Sequence, residues 1–253
     1  MKNLFCCENI TKNYHQEPVV QDISLELQER GFISLLGPSG VGKTTLFNVL
    51  AGVEEPDAGK VYLDGFDITG MSGKVSYMLH KDLLLEYRTV IDNVILPLLL
   101  KGEKKNKARD YAAAFFPVFG LSGYEKKYPA ELSGGMRQRA ALLRTYLTTG
   151  GSYNPVILLD EPFSALDAIT RHTMQSWYAR IAGEMKFSTL FITHDVEEAI
   201  SLSDTIYILN GKPAKITHRI EVQPKRPRDA GFSVSKEFVE QKRFVLEAIT
   251  EQD

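Results

Sequence analysis

The sequence predicts an α/β fold with a parallel central sheet, and three observations support this class. Two short, nearly continuous apolar runs, 31–36 and 156–160, have the composition of strands that are buried on both faces. A glycine-rich loop follows the first run and leads into a segment of helical character. From residue 156 onward, segments of strand and helix character alternate, which is the pattern of parallel strands covered by helices.

The N-terminal segment, residues 1–80, is predicted to combine an antiparallel β-subdomain with the first part of the α/β core. Residues 22–27 alternate apolar and polar side chains, which is the pattern of a half-buried strand. Residues 60–65 have the composition of a strand that enters a turn. A helix is expected over 43–51, directly after the glycine-rich loop.

The middle of the chain, residues 81–150, is predicted to form a mainly helical subdomain. Two of its segments, 108–116 and 136–147, are rich in helix-forming residues. The rest of the α/β core is assigned to 151–222. Its predicted strands are 156–160, 188–193 and 205–209, and its predicted helices are 168–182 and 196–202.

The C-terminal tail, residues 223–253, is predicted to open with a solvated connector that contains Pro-Lys-Arg-Pro-Arg-Asp. An amphipathic helix is expected to follow over 236–249. The apolar positions expected to bury that helix are Phe238, Val239, Val245, Leu246 and Ile249. We find no internal repeat or low-complexity linker, so 1–253 is interpreted as a single domain.

Composition excludes several classes of protein. The 253 residues are 43% hydrophobic and 25% charged, as in ordinary globular proteins, and the net charge of −2 provides no basic field for nucleic acid. The two cysteines, Cys6 and Cys7, are adjacent, which favours reduced thiols over a structural disulfide bond or a metal site. The longest apolar run, 94–100, is far shorter than the ~20 residues of a membrane helix. Any membrane pore is therefore expected to belong to another chain.

Residues 37–44 follow the pattern Gly-x4-Gly-Lys-Thr of a phosphate-binding loop. The glycines allow backbone N–H groups to turn inward around a phosphate, and Lys43 supplies a compact positive charge. Thr44 offers a hydroxyl to Mg²⁺. A chance match in a glycine-rich turn is the alternative, and the strand before and helix after the loop disfavour it. The candidate nucleotide-binding residues here are Gly37, Pro38, Ser39, Gly40, Val41, Gly42, Lys43, Thr44 and Thr45.

Two further motifs strengthen the nucleotide hypothesis. The buried run 156–160 ends in Asp160, a candidate for the Mg²⁺ shell, and Glu161, a candidate to polarise an attacking water. Many strands end in acids, so this pair carries weight only together with the loop. Residues 132–138 read Leu-Ser-Gly-Gly-Met-Arg-Gln. There the start of a helix would present N–H groups and a hydroxyl to a γ-phosphate through Ser133, Gly134 and Gly135, and the alternative is that Ser133 is an ordinary helix cap.

In their order along the chain, 37–44, 132–138 and 156–161, the three motifs resemble those of the nucleotide-binding subunit of an ATP-binding-cassette (ABC) transporter, from about Tyr14 to His194. The resemblance implies a P-loop NTPase cassette with a RecA-like parallel core, an N-terminal antiparallel β-subdomain and a helical subdomain. It implies ATP and Mg²⁺ as cofactors. It also implies that residues 132–138 act on the ATP held by a second ATPase subunit, expected to be an identical copy.

The resemblance assigns three more positions. Residues 164–167 match the segment that touches the opposite protomer, with Asp167 at its end. His194 matches the histidine that contacts the γ-phosphate, although a lone histidine at a strand end is more often structural. Tyr14, 29 residues before Lys43, stands where the family places an aromatic ring that stacks on adenine. The alternative for Tyr14 is an ordinary half-buried strand residue.

His80 departs from the family pattern. When the chain is aligned on the segments around Lys81 and Arg88, His80 occupies the position of a Gln that links the Mg²⁺ site to the membrane partner. A neutral imidazole can donate and accept a hydrogen bond as an amide does, but it is a poorer ligand for Mg²⁺. We expect His80 to keep the coupling and catalytic role through a water. The alternative is that His80 is a bystander.

Residues 81–94, together with Met136, are similar to the importers of the nitrate, sulfonate, taurine and thiamine-precursor group. This resemblance predicts an ATP-hydrolysing subunit, at the cytoplasmic face of the cell membrane, that powers an importer of a small anion or a thiamine-precursor-like solute. The implied partners are an integral-membrane permease and an extracellular or periplasmic solute-binding protein, with no nucleic acid. Three alternatives are a non-transport regulatory or assembly ATPase, an ABC protein of DNA repair or translation, and a small-molecule kinase.

Overall fold

The computed structural model describes residues 3–150, 155–228 and 231–250. Its strands are β1 (Asn3–Tyr14), β2 (Glu17–Gln28), β3 (Phe32–Leu36), β4 (Ala58–Leu63), β5 (Phe66–Asp67), β6 (Ser76–Met78), β7 (Val156–Asp160), β8 (Ser188–Thr193), β9 (Thr205–Asn210) and β10 (Lys215–Glu221). Its helices are α1 (Lys43–Leu50), α2 (Val90–Val94), α3 (Leu96–Leu100), α4 (Lys105–Ala113), α5 (Gly134–Thr148), α6 (Ala168–Glu184), α7 (Val196–Leu202) and α8 (Lys236–Thr250). The predicted α/β class is confirmed.

The chain divides into two compact units. The first combines Met1–Lys74 with Phe187–Asp253, and the second is Val75–Lys186. The first unit contains the antiparallel sheet, the glycine-rich loop and strands β8 to β10. The second contains β6, β7 and helices α2 to α6. In sequence, the second unit is therefore an insertion into the first.

The antiparallel sheet of the first unit has the strand order β2-β1-β4-β5. The alternation predicted for 22–27 is present, because Ile23, Leu25 and Leu27 are buried while the residues between them are exposed. In the central strand, Cys7 lies opposite Leu25 on one side and Val61 on the other. Cys7 is fully buried, and this burial raises the pKa of its thiol to about 12. The thiol is therefore a core side chain.

Among the parallel strands of the first unit, β3 lies between β8 and β9 and pairs with both. Every residue of β3 and β8 is buried, as the continuous apolar run 31–36 predicted. β10 adds to β9 as an antiparallel edge strand. Helix α7 packs against β3, and α8 packs against α7. This arrangement covers the sheet and fixes the end of β3, from which the glycine-rich loop departs.

Helix α8 forms where it was predicted, but its buried face is narrower than the apolar positions suggested. Phe238 and Val245 are buried in the core, and Ile249 packs against it. Val239 and Leu246 are 60% and 44% exposed. The prediction that these two residues bury the helix is wrong, because each follows a buried residue directly and lies about 100° further around the helix.

The prediction that the tail opens with a solvated connector is wrong for its arginines. Arg226 donates hydrogen bonds to Asp204 and its guanidinium lies over the Phe32 ring at 4.8 Å. Arg228 donates to three backbone carbonyls near the end of α7, those of Ile200, Ser201 and Ser203, at 3.0, 3.1 and 2.7 Å. Carbonyls at a helix C-terminus lack partners within the helix, so the forked guanidinium satisfies them.

The second unit joins the parallel pair β6–β7 to a mainly helical segment. Helix α5 packs against α2, α3, α6 and β6. Asp92 at the start of α2 forms a bidentate ion pair with Arg109 of α4, with oxygen to nitrogen distances of 2.7 and 2.8 Å. Aromatic rings fill the interior between α4, α5 and α6, and those in edge or tilted contact are Tyr111, Phe115, Phe119, Tyr146 and Trp177.

Candidate functional site

The glycine-rich loop of the first unit begins where β3 ends. Gly37 is buried, and a Cβ at this position would meet the carbonyl oxygen of Leu209 at 2.3 Å. Gly42 caps the start of α1 with φ 115°, a left-handed conformation that side chains other than glycine rarely adopt. Pro38, Ser39 and Gly40 between them are exposed. The loop therefore has glycine where backbone geometry requires it and offers an exposed crown to a ligand.

Lys43 closes this loop. Lys43 is only 5% exposed. Its side-chain ammonium donates hydrogen bonds to the carbonyl oxygens of Gly37 and Pro38, each at 2.8 Å. The cation is therefore already inside the loop, at the start of α1, where backbone N–H groups have no helical partners. Thr44, next along the chain, is exposed. A positive charge, the N–H groups of a helix N-terminus and a hydroxyl in this arrangement suit the binding of a phosphate chain.

Tyr14 lies at the end of β1 and is 39% exposed. Its hydroxyl donates to the Glu54 carboxylate at 2.5 Å and also interacts with Thr45 of α1. The hydrogen bond to Glu54 raises the pKa of Tyr14, and the same bond lowers the pKa of the Glu54 carboxyl. The Lys12 ammonium lies 5.7 Å from the ring centre. The structure therefore places the predicted adenine-stacking ring beside the helix that follows the glycine-rich loop.

His194 leaves the sheet at the same edge as the glycine-rich loop. Strands β3 and β8 are parallel neighbours, and Leu36 lies opposite Thr193 in their register. The next residues, Gly37 and His194, therefore leave the same end of adjacent strands. His194 is exposed, and Asp195 after it caps α7 by accepting from the backbone N–H groups of residues 197 and 198.

The second unit brings His80 and Glu161 together. In the parallel pair β6–β7, Met78 lies opposite Leu159, so both strands end at one edge. Asp160 is 5% exposed, and Glu161 after it has φ 46°, which re-aims the chain at the strand end. The Nδ1 atom of His80 lies 3.8 Å from Oε2 of Glu161. This proximity joins two predicted catalytic residues that are far apart in sequence.

Ser164 also contacts His80. Its Oγ atom lies 3.4 Å from Nδ1 of His80 and donates to the carbonyl oxygen of Glu161 at 3.0 Å. Sequence reasoning placed Ser164 at the start of 164–167 but gave it no role of its own. Asp167, at the other end of that segment, caps α6 by accepting from the backbone N–H of Thr170 at 3.0 Å, and hydrogen bonds from Thr170 lower its pKa.

Residues 132–138 form the start of α5. Ser133 is exposed and caps the helix, its Oγ accepting from the backbone N–H of Met136 at 3.3 Å. A Cβ at Gly135 would come within 3.4 Å of Thr170 of α6, so close helix packing also uses this glycine. The cap foreseen as the alternative role is therefore present, and it leaves the hydroxyl and the helix N-terminus at the surface.

Gln138, the last residue of the same motif, is a site residue that sequence reasoning did not single out. Its amide nitrogen donates to the carbonyl of Pro162 at 2.7 Å. Pro162 directly follows Glu161. The buried side chain therefore ties the helix of the Leu-Ser-Gly-Gly motif to the carboxylate strand end. Its place within the motif was the available signal, but nothing in the sequence identified its partner.

No group of three or more His, Cys, Asp or Glu side chains among residues 3–150, 155–228 and 231–250 could hold a metal ion on its own. Mg²⁺ in a nucleotide site is bound by one or two protein oxygens together with substrate phosphates, and exposed Thr44 and buried Asp160 are oxygen donors of that type. In the part of the chain that the structure describes, no helix has the length and apolar character to cross a membrane.

Comparisons with known proteins agree with this geometry. The family model described as ABC transporter matches residues 20–164. The chain is 39% identical over 225 residues to the formylaminopyrimidine import ATP-binding protein of Halalkalibacterium halodurans, covering 88% of this chain and 86% of that protein. It is 42% identical over 223 residues to an aliphatic sulfonates import ATP-binding protein of Rhodococcus jostii, covering 88% and 84%.

Solved structures show the same fold. A dimeric ATP-binding cassette in a post-hydrolysis state, bound to ADP and Pi, superimposes with a TM-score of 0.71 at 25% identity. The match covers 87% of this chain and 100% of that chain. The architecture expected from the resemblance, a P-loop cassette with an antiparallel subdomain and a helical segment, is confirmed.

Proposed function

This chain belongs to the ABC transporter family, and we propose that it is the ATP-hydrolysing subunit that powers a membrane importer. Its enzyme class is that of an ABC-type ATPase. The observation that carries the proposal is the common edge of β3 and β8, where the glycine-rich loop and His194 depart side by side. A phosphate chain held by the loop would have its terminal phosphate within the region that His194 can serve.

ATP binding is assigned to the first unit. The exposed crown of the loop, through the backbone N–H groups of Ser39 and Gly40, and the N-terminus of α1 would offer hydrogen bonds to the phosphates. Lys43 would exchange the carbonyls of its own loop for β- and γ-phosphate oxygens. Tyr14 would stack on adenine through its exposed ring face while its hydroxyl stays bound to Glu54.

Hydrolysis is assigned to Thr44 at the start of α1 and to residues at the ends of β6, β7 and β8. Thr44 and Asp160 would hold Mg²⁺, which when bound neutralises charge on the phosphates. Glu161 would accept a hydrogen bond from the attacking water and orient it. His194 would donate to the γ-phosphate and stabilise the charge that develops there. His80 would stay in reach of Glu161 and act through a water, as its Nδ1–Oε2 distance of 3.8 Å permits.

A second copy of the chain would complete each site. Exposed Ser133 and the backbone N–H of Gly135 at the start of α5 would bind the γ-phosphate held by the opposite subunit, and exposed Asp167 would contact that subunit. ATP would therefore stabilise a closed dimer, and hydrolysis would release it. Support comes from the dimeric cassette structure that shares this fold.

The partners follow from the importer assignment. An integral-membrane permease would contact the segment 80–97 at the cytoplasmic face of the membrane, and a solute-binding protein outside the membrane would deliver the solute. The relatives named for import of aliphatic sulfonates and of formylaminopyrimidine support a small anion or a thiamine-precursor-like solute. Nucleic acid is not a partner in this scheme.

The experiment that tests the proposal uses Glu161→Gln, which keeps the side-chain volume and removes the carboxylate. With ATP, this variant is expected to form a stable dimer on size exclusion and to recover a multi-helix permease from detergent-solubilised cells. The matched control, Glu161→Gln combined with Lys43→Ala, should do neither. A Glu161→Gln protein that stays monomeric with ATP and recovers only soluble proteins would overturn the importer assignment.

A further inference from the structure

The hydrogen bonds around Ser164 determine which nitrogen of His80 carries the proton. Ser164 has one hydroxyl proton, and it is donated to the carbonyl oxygen of Glu161 at 3.0 Å. That carbonyl can only accept. The contact between Ser164 Oγ and His80 Nδ1 at 3.4 Å must then use a lone pair of the hydroxyl and a proton on Nδ1.

The Glu161 carboxylate favours the same proton position electrostatically. Its Oε2 atom lies 3.8 Å from the same Nδ1 and, when ionised, can only accept. Two acceptors therefore face Nδ1 of His80, and a neutral imidazole with its proton on Nδ1 has its lone pair on Nε2. The imidazole is half exposed, so the ring edge that carries Nε2 is not enclosed by the core.

The chain that follows His80 is fixed in place, which keeps the imidazole at this position. Arg144 of α5 donates to the carbonyls of Asp82 and Leu83 at 2.5 and 2.7 Å. The buried amide of Asn93 bonds to both the N–H and the carbonyl of Leu85, at 2.6 and 3.0 Å. These contacts fix the backbone that follows His80. The orientation of the imidazole ring then depends on its contacts with Ser164 and Glu161.

We propose that Ser164 is a positioning residue that holds His80 in the Nδ1–H tautomer and makes Nε2 a hydrogen-bond acceptor. In this form the histidine presents a lone pair to a water or another donor, as the oxygen of a glutamine amide does. Displacement of Ser164 would leave Nδ1 with only the longer contact to Glu161 and allow the proton to move toward Nε2. The polarity of the exposed ring edge would then reverse from acceptor to donor.

Ser164 is well placed to change with the functional cycle. It begins the segment 164–167, which ends at the exposed N-cap of α6. Under the proposed function, on which this step alone rests, Asp167 contacts the opposite subunit. Formation of the dimer would then set the position of Ser164 and, through it, the polarity of His80. The tautomer itself is a property of the isolated chain and does not depend on that assignment.

The decisive measurement is ¹⁵N NMR of the full chain labelled at histidine, at about pH 8.5, where ordinary histidines are neutral. The His80→Gln protein identifies the His80 signals by their loss. In the wild type, His80 is expected to show a protonated Nδ1 and an unprotonated Nε2. Ser164→Ala should shift the proton toward Nε2, and Ser164→Thr, which keeps the hydroxyl, should not. A wild-type His80 protonated on Nε2, or no shift in Ser164→Ala, would overturn the proposal.

ATPase kinetics test the consequence. Asparagine at position 80 places an amide near the position of Nδ1, and glutamine places one near that of Nε2. If Nε2 supplies the acceptor, kcat of His80→Asn should lie about tenfold below that of His80→Gln, the size of one lost hydrogen bond, with the same KM for ATP in both variants. Equal loss in both variants would contradict the assignment. Because the NMR result needs no dimer, failure of the importer assignment would leave it interpretable.

Discussion

Asp204 accepts two hydrogen bonds from the guanidinium of Arg226, at 2.9 and 2.7 Å. The same carboxylate accepts the backbone N–H of Phe32 at 2.8 Å, where β3 begins. Arg226 in turn donates to the carbonyl of Arg30 and covers the Phe32 ring. The C-terminal tail is therefore fastened to the strand that leads into the phosphate loop.

Removal of this pair is expected to destabilise the protein more than removal of an exposed pair. Arg226→Ala leaves Asp204 without its charged partner, so we expect a loss of about 2–3 kcal/mol in the free energy of unfolding. The matched control is Lys236→Ala, which removes an exposed pair with Glu240 and should cost under about 1 kcal/mol. Urea unfolding followed by circular dichroism measures both. Equal effects would mean that the Arg226–Asp204 pair contributes no more to the free energy of unfolding than an exposed ion pair does.

Gly37→Ala is expected to disrupt the phosphate loop. The added methyl group would lie 2.3 Å from the Leu209 carbonyl oxygen, so β9 or the loop must move. We expect a fall in melting temperature together with at least a tenfold loss of ATP affinity. Gly183→Ala is the control, because a methyl group added there would meet no atom within 4 Å and alanine favours a helix. Unchanged ATP binding by Gly37→Ala in a calorimetric titration would contradict the close approach.

Tyr14 variants separate the ring from its hydroxyl. Tyr14→Phe removes the hydrogen bond to Glu54 but keeps the ring, so ATP affinity should change little. Tyr14→Ala removes the ring, and a lost stacking contact of about 1–3 kcal/mol predicts a Kd that rises by about 5- to 150-fold. Titration with ATP and with triphosphate alone measures this. If Tyr14→Ala weakens both ligands equally, the ring serves the fold and not adenine.

Acid should selectively remove the contribution of the Asp92–Arg109 pair. Burial opposes ionisation of Asp92, but hydrogen bonds from Arg109 and Lys105 outweigh it and lower the pKa of the carboxyl overall. A carboxyl with a depressed folded-state pKa contributes stability above its unfolded value, and this is lost as pH falls through the folded-state pKa. Asp92→Asn should therefore be less stable than wild type at pH 7, and the difference should shrink in acid below about pH 4.

The test is a series of urea unfolding curves of both proteins from about pH 7 to about pH 3. Glu184→Gln, which alters an exposed pair with Arg180, is the control for general acid effects. A gap between wild type and Asp92→Asn that stays constant across the series would show that the ionised pair does not stabilise the helical segment.

The features predicted most accurately were those that depend on local sequence. The continuous apolar runs identified β3 and β7, and the spacing of Gly37, Gly42 and Lys43 identified the tight loop that leads into α1, because strand burial and loop geometry both constrain consecutive residues. The buried face of helix α8 was only partly predictable. Phe238 and Val239 are both apolar, and packing alone decides which of the two is buried.

The features that were not predicted depend on partners far away in sequence. Ser164 and His80 are 84 residues apart, and no local pattern indicates that they meet. Arg228 lies in a stretch whose composition is typical of a solvated connector, yet its guanidinium binds carbonyls at the end of α7. Charge and proline content indicate only that such a stretch has no strong local structure and tends to be solvated. Its final position is determined by the carbonyl groups at the end of α7, which accept hydrogen bonds from Arg228.

Because the second unit is inserted between β3 and β8 in the sequence, β3 is synthesised well before the strands that flank it in the sheet. β3 leaves the ribosome long before both of its neighbours, since β8 and β9 are encoded after Val75–Lys186. At about 5–20 residues per second, the gap lasts on the order of ten seconds. During that interval β3 is an apolar segment without its flanking strands, and we expect nascent chains halted within the insertion to recruit chaperones that are released once the last third has been translated.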